Sequence, residues 1–291
     1  MEELLDMFKY VLLGVNMLLF VALAVTMVTQ NKAANAHSDA SNGPKQALLV
    51  TAHPDDESMF FLPLVHSLTA PRPKQGQSGA EWNVHLLCLS RGNFDGLGDI
   101  RAQEMIASGT FIGIAKENIH VLEDPKLQDG MKEQWSHDHI ASIVLDYIEK
   151  HKINAVFTFD DYGISGHPNH ISVHHGVKQA IVEQHKRCTN NGDQKTSPVR
   201  GWALESTNII HKYIGVLDAL VLPSLTGNTE HVFVFLFRPL WNYRAMALHY
   251  SQFVWYRRLF VIFSRYTFIN TFLPMHPPST PIVAEETKKD Q

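Results

Sequence analysis

Residues 48–57 read LLVTAHPDDE, an apolar run that ends at a histidine and continues into a proline and three acids. The apolar run has the length and composition of a buried strand, and Pro54 prevents that strand from continuing. Asp55 or Asp56 can then cap a helix that begins in the acidic stretch. The stretch therefore predicts a strand, a tight turn and a helix, with His53 and the carboxylates gathered at the turn.

The same alternation of apolar strands and helix-length segments continues along the chain. Strands are predicted at residues 47–52, 84–89, 119–122 and 155–159, and helices at residues 57–68, 99–112, 135–151 and 169–185. This order is typical of an α/β fold with a Rossmann-like, largely parallel sheet and helices on both faces. Because sites in such sheets lie at the carboxyl ends of strands, the loops that follow the strands are the places to look for chemistry.

The start of the chain has the composition of a membrane anchor. Residues 10–28 contain no charged residue, and as a helix they would span about 28 Å, close to the hydrocarbon thickness of a bilayer. A cleaved signal peptide is the alternative, but it has a basic start, whereas Glu2, Glu3 and Asp6 are acidic. We expect a transmembrane anchor at residues 1–30, a flexible tether at 31–45, a catalytic domain at 46–275 and a polar tail at 276–291.

Charge and cysteine content narrow the class of protein. A net charge of −4 over 291 residues gives no single-sign field of the kind that attracts nucleic acid, so we expect no nucleic-acid partner. The two cysteines, Cys88 and Cys188, form no evident disulfide framework and favour a reducing compartment. Seventeen histidines are many for a domain of this size, and several cluster where metal ligands could converge.

A second cluster follows the strand predicted at residues 155–159. Residues 156–175 read VFTFDDYGISGHPNHISVHH, in which an acidic, glycine-containing loop leads into histidines at the start of a helix. With Pro168 in the first turn, His170 lies on the helix and His167 lies just before it. We interpret His175 as a capping or surface residue. Two distant strand ends that each present histidine and aspartate beside a turn predict one metal site.

A third segment, residues 88–105, reads CLSRGNFDGLGDIRAQEM and again runs from a strand through a glycine-rich loop into a helix. Arg91 at the strand end could hold a carboxylate ligand in place or bind a substrate oxygen. Arg101 and Glu104 have the spacing of a surface ion pair. The glycines match neither GxGxxG nor a phosphate-binding P-loop, so we expect no nucleotide.

Near the end of the chain, residues 252–272 interleave three arginines with aromatic residues. This composition is typical of a helix that lies in a membrane interface. It fits equally well a core helix whose arginines extend to the surface.

With these segments in view, the chain resembles the LmbE-like de-N-acetylase family in its eukaryotic branch. The resemblance rests on AHPDDE at 52–57, SRGNFDGLG at 90–98, HPNH at 167–170 and SQFVWYRRLFVIFSRY at 251–266. It implies a zinc-dependent hydrolase that removes the acetyl group from a glycolipid, N-acetylglucosaminyl phosphatidylinositol, in the second step of GPI-anchor biosynthesis. It also implies a single-pass protein of the endoplasmic reticulum membrane, whose catalytic domain we expect to face the cytosol.

The resemblance assigns a role to each residue of the two clusters. It implies that His53, Asp56 and His170 bind Zn²⁺ or another divalent cation and that Asp55 is the general base. It implies that His167 stabilises the developing oxyanion.

Two further positions depend on the same resemblance. Arg91 would support the site around the first motif. Some bacterial members carry a tyrosine two residues before the histidine that corresponds to His167, where this chain has Ser165, and Tyr162 is a speculative substitute.

Two other functions stay open on the sequence alone. One is a de-N-acetylase of a different N-acetylglucosamine conjugate, because the catalytic motif is shared across the family. The other is a non-catalytic, metal-bound, glycan-binding membrane protein. A metal-dependent phosphatase is disfavoured, because only one three-ligand site is evident where such enzymes use two metals.

Overall fold

Seven strands of the described chain join in one mixed sheet. They are β1 (Lys45–Thr51), β2 (Trp82–Cys88), β3 (Ile119–Val121), β4 (Ala155–Phe159), β5 (Arg200–Leu204), β6 (Val232–Phe235) and β7 (Ile269–Pro274). Their order across the sheet is β3-β2-β1-β4-β5-β7-β6. The strands β1 to β5 pair in parallel, while β7 pairs antiparallel with both β5 and β6. The computed structural model describes residues 45–70, 82–190, 198–219 and 232–275 and the single positions Tyr10, Gly14 and Met17.

Helices connect the strands. They are α1 (Asp56–Phe60), α2 (Leu62–Thr69), α3 (Gly98–Phe111), α4 (His137–His151), α5 (Gly163–Gly166), α6 (Pro168–Asn190), α7 (Ile209–Tyr213), α8 (Pro239–Ala247) and α9 (Trp255–Phe263), with 3₁₀ helices at Lys116–Asn118, Gly215–Leu217, Tyr250–Gln252 and Arg265–Thr267. The helix α5 is a single distorted turn, in which Ile164 has a φ of 68°.

The strand order reverses direction between β3 and β4. The chain moves outward from β1 through β2 to β3 and then returns to place β4 on the other side of β1. Right-handed crossovers then place α1 to α3 on one face of the sheet and α4 and α6 on the other, where these two helices pack together. The neighbouring strands β1 and β4 form the switch point of the topology, and ligands bind at such points beyond the carboxyl ends of the strands.

Burial explains why the central strands are easy to identify from sequence. All five residues of β4 are buried, as are all residues of β1 except Gln46. A strand covered on both faces is a continuous apolar run rather than an alternating one. The predicted α/β class and the largely parallel sheet are confirmed, and the four predicted strands lie within two residues of β1 to β4.

The structure differs from the sequence prediction in one helix, in the segment 252–272 and in the last three strands. The helix predicted at 57–68 is two helices, because Phe61 separates them and Pro63 lies in the first turn of α2. The segment 252–272 is not one helix. The helix in this segment ends at Phe263, and Ser264 then caps a 3₁₀ turn. The chain enters β7 after that turn. The strands β5, β6 and β7 are not predicted from the sequence.

Most of the proposed membrane-associated part of the chain lies outside the described residues. This applies to the anchor at 1–30, apart from three single positions, to the tether before Lys45 and to the tail at 276–291. Among the residues that the structure describes, no helix is both long enough and apolar enough to cross a bilayer.

Candidate active site

The turn after β1 holds its carboxylates in a fixed arrangement. Asp55 has a φ of 106°, which is uncommon for a residue other than glycine and is tolerated only where the surroundings enforce it. Asp56 folds back over the turn, and its Oδ2 accepts hydrogen bonds from the backbone N–H of Ala52 at 3.0 Å and of His53 at 2.8 Å. The other oxygen, Oδ1, therefore stays available to face the loop after β4.

His170, on the first turn of α6, meets that oxygen. Its Nε2 lies 3.3 Å from Oδ1 of Asp56, and its Nδ1 lies 3.1 Å from the carbonyl oxygen of Gly163. A carbonyl can only accept, so in the neutral ring Nδ1 carries the proton and Nε2 keeps a lone pair. Phe159 stacks on the ring at 4.0 Å. Gly163 has a φ of +63°, and a Cβ there would lie 2.8 Å from Cβ of His170, so only glycine permits this approach.

His53 faces Asp56 with Nδ1, whereas His170 faces it with Nε2. Its Nε2 lies 3.0 Å from Oδ1 of Asn169 and 3.1 Å from Oδ1 of Asp129. The amide nitrogen of Asn169 donates to the carbonyl of Glu133, which fixes the amide so that its oxygen faces the histidine. In the neutral ring of His53, Nε2 therefore carries the proton, because two acceptors face it, and Nδ1, which lies 4.0 Å from Oδ2 of Asp56, keeps the lone pair.

Two overlapping groups in the described chain could hold a cation, namely His53, Asp56 and His170, and His53, Asp129 and His167. In each group the candidate ligand atoms lie within 4.8 Å of one another. The hydrogen bonds distinguish the groups, because the nitrogen of His53 with a free lone pair faces Asp56. His53, Asp56 and His170 are all buried and supply the two imidazoles and one carboxylate that suit Zn²⁺ with an open position. These residues fit a catalytic metal centre.

Asp55 lies beside this group of three, with arginines on both sides. Nη2 of Arg257 is 3.1 Å from its Oδ2, and Nη2 of Arg101 is 3.9 Å from its Oδ1. Burial raises the pKa of Asp55, and the charges of Arg257 and Arg101 offset part of that rise. The result is a buried carboxylate that can exchange a proton while two cations hold it in position.

His167 stands on the other side of the cleft with its ring 4.9 Å from that of His53 and 4.8 Å from that of His170. Partial burial and the two neighbouring imidazoles lower its pKa to about 4. The backbone N–H of Asn169 donates to its Nδ1 at 3.3 Å. His167 is therefore neutral near pH 7 and presents an N–H from Nε2, which suits it to donate to an oxygen that gains negative charge.

These groups line an open cleft of about 480 Å³, a size typical of small-molecule sites. Its floor holds His53, Asp55, Asp56 and His170. Its rim includes Phe94, Met131, Val254, Tyr256 and Arg257. The cleft thus joins a polar, charged floor to a mouth with apolar side chains.

The sequence matches the family model described as PIG-L, GlcNAc-PI de-N-acetylase, over residues 48–181. A probable N-acetylglucosaminyl-phosphatidylinositol de-N-acetylase of Dictyostelium discoideum is 38% identical, in an alignment that covers 79% of this chain and 93% of that protein. The chain belongs to the GlcNAc-PI de-N-acetylase family. It is accordingly an enzyme of the hydrolase class. The N-acetylglucosaminyl-phosphatidylinositol de-N-acetylase of Bos taurus is 36% identical, over 79% of this chain and 83% of its own length.

Solved structures agree on the fold. The N,N'-diacetylchitobiose deacetylase of Pyrococcus horikoshii superposes with a TM-score of 0.52 at 17% identity, over 82% of this chain and 88% of that one. At this identity the similarity shows the fold alone.

The sequence predicts Arg91 at the site and Arg101 at the surface, and the structure shows the reverse. Arg91 does not line the cleft of this family member. Its guanidinium pairs instead with Asp99 and Glu123, whose side chains are exposed. Arg101, predicted as a surface partner of Glu104, is buried instead.

Arg101 holds the turn after β1 in place through hydrogen bonds. It donates to the carbonyl of Pro54 at 2.8 Å, to the carbonyl of Gly92 at 2.7 Å and to Asp129 at 3.2 Å. Gly92 has a φ of +67°, and a Cβ there would lie 2.3 Å from the guanidinium. Glycine at this position therefore lets the arginine reach the turn.

The tyrosine at the cleft is not the one that the sequence suggests. Ser165 lines the cleft, whereas Tyr162 is exposed and lines a neighbouring depression. Tyr256 is the tyrosine at the cleft rim. Its position is set by α9, which no local sequence pattern connects to the histidines.

Several residues of the site are missed by sequence reasoning. Asn169 lies inside the HPNH motif, and Asp129 follows β3, so the strand-end rule could have indicated both. His249 and Glu57 form a fully buried pair at 2.5 Å, in which Ser58 and Ser108 also donate to Glu57. This pair ties the C-terminal segment to the turn after β1.

Proposed function

We propose that this protein removes the acetyl group from N-acetylglucosaminyl phosphatidylinositol with Zn²⁺ as its cofactor, in the second step of GPI-anchor biosynthesis. The observation that carries the proposal is the meeting of His53, Asp56 and His170 beside the buried carboxylate of Asp55. The names of the relatives from Dictyostelium discoideum and Bos taurus support the choice of substrate.

The metal would be held by Nδ1 of His53, Oδ1 of Asp56 and Nε2 of His170. When bound, a zinc ion lowers the pKa of a water from about 15.7 toward 7 and polarises a carbonyl. Asp56 suits this role because the neighbouring His170 and His53 overcome the effect of burial and hold its pKa below the usual range. The carboxylate is therefore ionised.

Asp55 would accept the proton of the attacking water. Because burial raises the pKa of Asp55, the carboxylate is a better base than an exposed aspartate, and Arg257 and Arg101 keep it directed into the cleft. His167 would donate from Nε2 to the amide oxygen as charge develops on it. The proton held on Asp55 can then pass to the leaving amine, which releases acetate and a free glucosamine unit.

We further propose that the protein resides in the endoplasmic reticulum membrane through residues 1–30, with its catalytic domain in the cytosol. The apolar run at 10–28 and the unpaired Cys88 and Cys188 support this placement. A glycolipid substrate would stay within reach of a domain tethered to the same membrane.

The test is acetate release by the full chain, purified in detergent, from N-acetylglucosaminyl phosphatidylinositol and from the same sugar on inositol without lipid. We expect activity that a chelator removes and added zinc restores. Asp55→Asn should keep the metal and lose activity by a factor on the order of 10²–10⁴. Metal binding without release of acetate from either compound would favour a glycan-binding protein, and preference for an unrelated N-acetylglucosamine conjugate would favour another substrate.

A further inference from the structure

The outward side of α9 is apolar. Of its nine residues only Phe260 and Val261 are buried. Trp255 is 72% exposed, and Leu259, Ile262 and Phe263 are each exposed by about half. A soluble helix normally turns such residues toward the core, so their exposure calls for a partner.

A neighbouring segment extends this surface. The 3₁₀ helix Gly215–Leu217 packs against α9, and a Cβ on Gly215 would lie 3.1 Å from the carbonyl oxygen of Phe263. Tyr213 and Leu217 flank this contact with exposed side chains. We call Tyr213, Leu217, Trp255, Leu259, Ile262 and Phe263 the apolar face. Contiguous exposed apolar surface of this kind marks an interaction site.

The apolar face continues into the cleft. Tyr256 and Arg257 follow Trp255 directly and line the cleft wall. On the opposite rim Phe94 and Met131 are also largely exposed. The opening of the cleft therefore lies among apolar side chains and adjoins the apolar face at Tyr256.

The two segments that carry the apolar face hold exposed charge of one sign, although Asp160, Asp161 and Glu205 line the depression beside Tyr213. Within residues 206–219 and 232–275, which the structure describes, Asp218 is the single acidic residue. It is fully buried and pairs with Arg265 at 3.1 Å. Arg258 is exposed among the apolar residues, and Lys212 lies beside Tyr213. At α9, where Arg258 is the exposed charge, the face thus complements an anionic partner.

We infer that the apolar face rests on a lipid bilayer that contains anionic phospholipid, with the cleft opening at the level of the headgroups. Aromatic residues beside arginine are the composition of interfacial helices, which sit about 5–10 Å deep at the boundary of headgroups and acyl chains. This inference deepens the proposed function, on which it rests for the identity of the substrate. It explains how a headgroup sugar reaches the metal-binding residues while the lipid stays in the membrane.

A second copy of the chain is the competing occupant, and charge disfavours it. In a two-fold contact the same surface meets itself, so Arg258 would face the Arg258 of the other copy across an apolar interface. The described segments that form this surface offer no exposed carboxylate to pair with it. Phosphate groups of a bilayer supply the missing negative charge.

Tryptophan fluorescence tests the inference directly. The chain has five tryptophans, and the other four, Trp82, Trp135, Trp202 and Trp241, are buried or half-buried. The full chain is placed in vesicles of phosphatidylcholine and phosphatidylinositol whose phosphatidylcholine carries bromine on the acyl chains. The emission of Trp255 is the difference between the unchanged chain and Trp255→Phe. We expect this emission to fall by roughly half or more relative to vesicles without bromine, given the depth of interfacial helices.

A matched control separates docking from attachment of the chain to the vesicle. In the Trp255→Phe chain, Glu117→Trp places a probe on an exposed position beside β3, at the opposite edge of the sheet. Its emission should be unaffected by bromine. Unquenched Trp255 would overturn the inference, as would equal quenching of both probes. A blue shift of Trp255 that depends on protein concentration and not on vesicles would assign the face to a second copy.

Activity provides an independent arm. Leu259→Asp and Ile262→Asp change exposed residues outside the cleft. Because each variant places a charge at the bilayer interface, acetate release from substrate in vesicles should fall by about tenfold or more. Release from the lipid-free sugar should stay unchanged. Equal losses on both substrates would contradict the inference. If the unchanged chain hydrolyses neither compound, the proposed function fails, while the quenching result still decides whether the face docks on lipid.

Discussion

Nη2 of Arg257 lies 3.1 Å from Oδ2 of Asp55. The arginine comes from α9 and the aspartate from the turn after β1, so two parts of the chain that are distant in sequence meet at the carboxylate assigned as base. The contact turns a helix of the C-terminal segment into part of the catalytic wall. The HPDDE turn is therefore completed by an arginine from the distant segment 251–266.

Replacement of Arg257 tests that contact. Arg257→Gln should lower kcat by a factor on the order of ten to a hundred, because the base loses the cation that orients it. Arg257→Lys should recover part of the loss. The measurement is steady-state acetate release from the lipid-free sugar, with metal content determined on the same preparations.

A matched control is Arg244→Gln, which removes an exposed arginine from α8 and should leave kcat unchanged. If Arg257→Gln also lost its metal, its effect would have to come from damage to the metal centre and not from the base.

The exchanged places of Arg101 and Arg91 predict very different effects on stability. Arg101→Met would leave Asp129 without one of its two buried partners and the carbonyls of Pro54 and Gly92 without the arginine donor. We expect the free energy of unfolding to fall by about 3–5 kcal/mol. Arg91→Met breaks pairs with Asp99 and Glu123, whose side chains are well exposed, and should cost less than about 1 kcal/mol.

Chemical denaturation of the two variants side by side gives both values. Similar losses, or a larger loss for Arg91→Met, would contradict the assignment of Arg101 as the arginine that braces the turn.

A group of histidines away from the cleft predicts a loss of stability in acid. Burial and the nearby His151 and His120 lower the pKa of His85 to about 4, below its value of 6.5 in an unfolded chain. Between these values the unfolded chain binds a proton that the folded chain does not. Stability is therefore complete above pH 6.5 and falls as the pH drops toward 4.

His85→Gln should make that decline shallower. The variant loses the hydrogen bonds of His85 to Tyr147 and Gln46, so it should be less stable than the unchanged protein at pH 7. Its further loss between pH 7 and pH 5 should nevertheless be smaller, as measured by urea unfolding at both values. An equal or larger loss in the variant would show that His85 is not the group responsible.

The fold could be predicted as far as burial leaves a pattern in the sequence. Strands covered on both faces give uninterrupted apolar runs, which is why β1 to β4 are located correctly. The places of the later strands β5 and β7 depend on pairing with distant partners, as in the contact of Leu204 with Phe272. No local pattern contains that information.

The site likewise contains residues that the sequence pattern predicts and residues that it does not. His53, Asp55, Asp56, His167 and His170 come together because each follows a strand on either side of the topological switch point, and strand-end position is visible in sequence. Their chemical roles stay predictions. The arginines could not be placed, because the direction of a long side chain at a strand end depends on packing. Arg91 is half-buried beside Asp99 and Glu123 outside the cleft, and Arg101 reaches the turn only because Gly92 leaves room.

Metal analysis of three purified chains, namely the unchanged protein, His170→Ala and His167→Ala, decides which group of residues holds the cation. The hydrogen bonds of His53 assign the lone pair of its neutral ring to the side of Asp56 and His170. We therefore expect one tightly bound divalent cation in the unchanged protein and in His167→Ala, and a loss of that cation in His170→Ala. Retention of the cation in His170→Ala together with its loss in His167→Ala would instead place the metal between His53, Asp129 and His167, and the assignment of His170 as a ligand would be wrong.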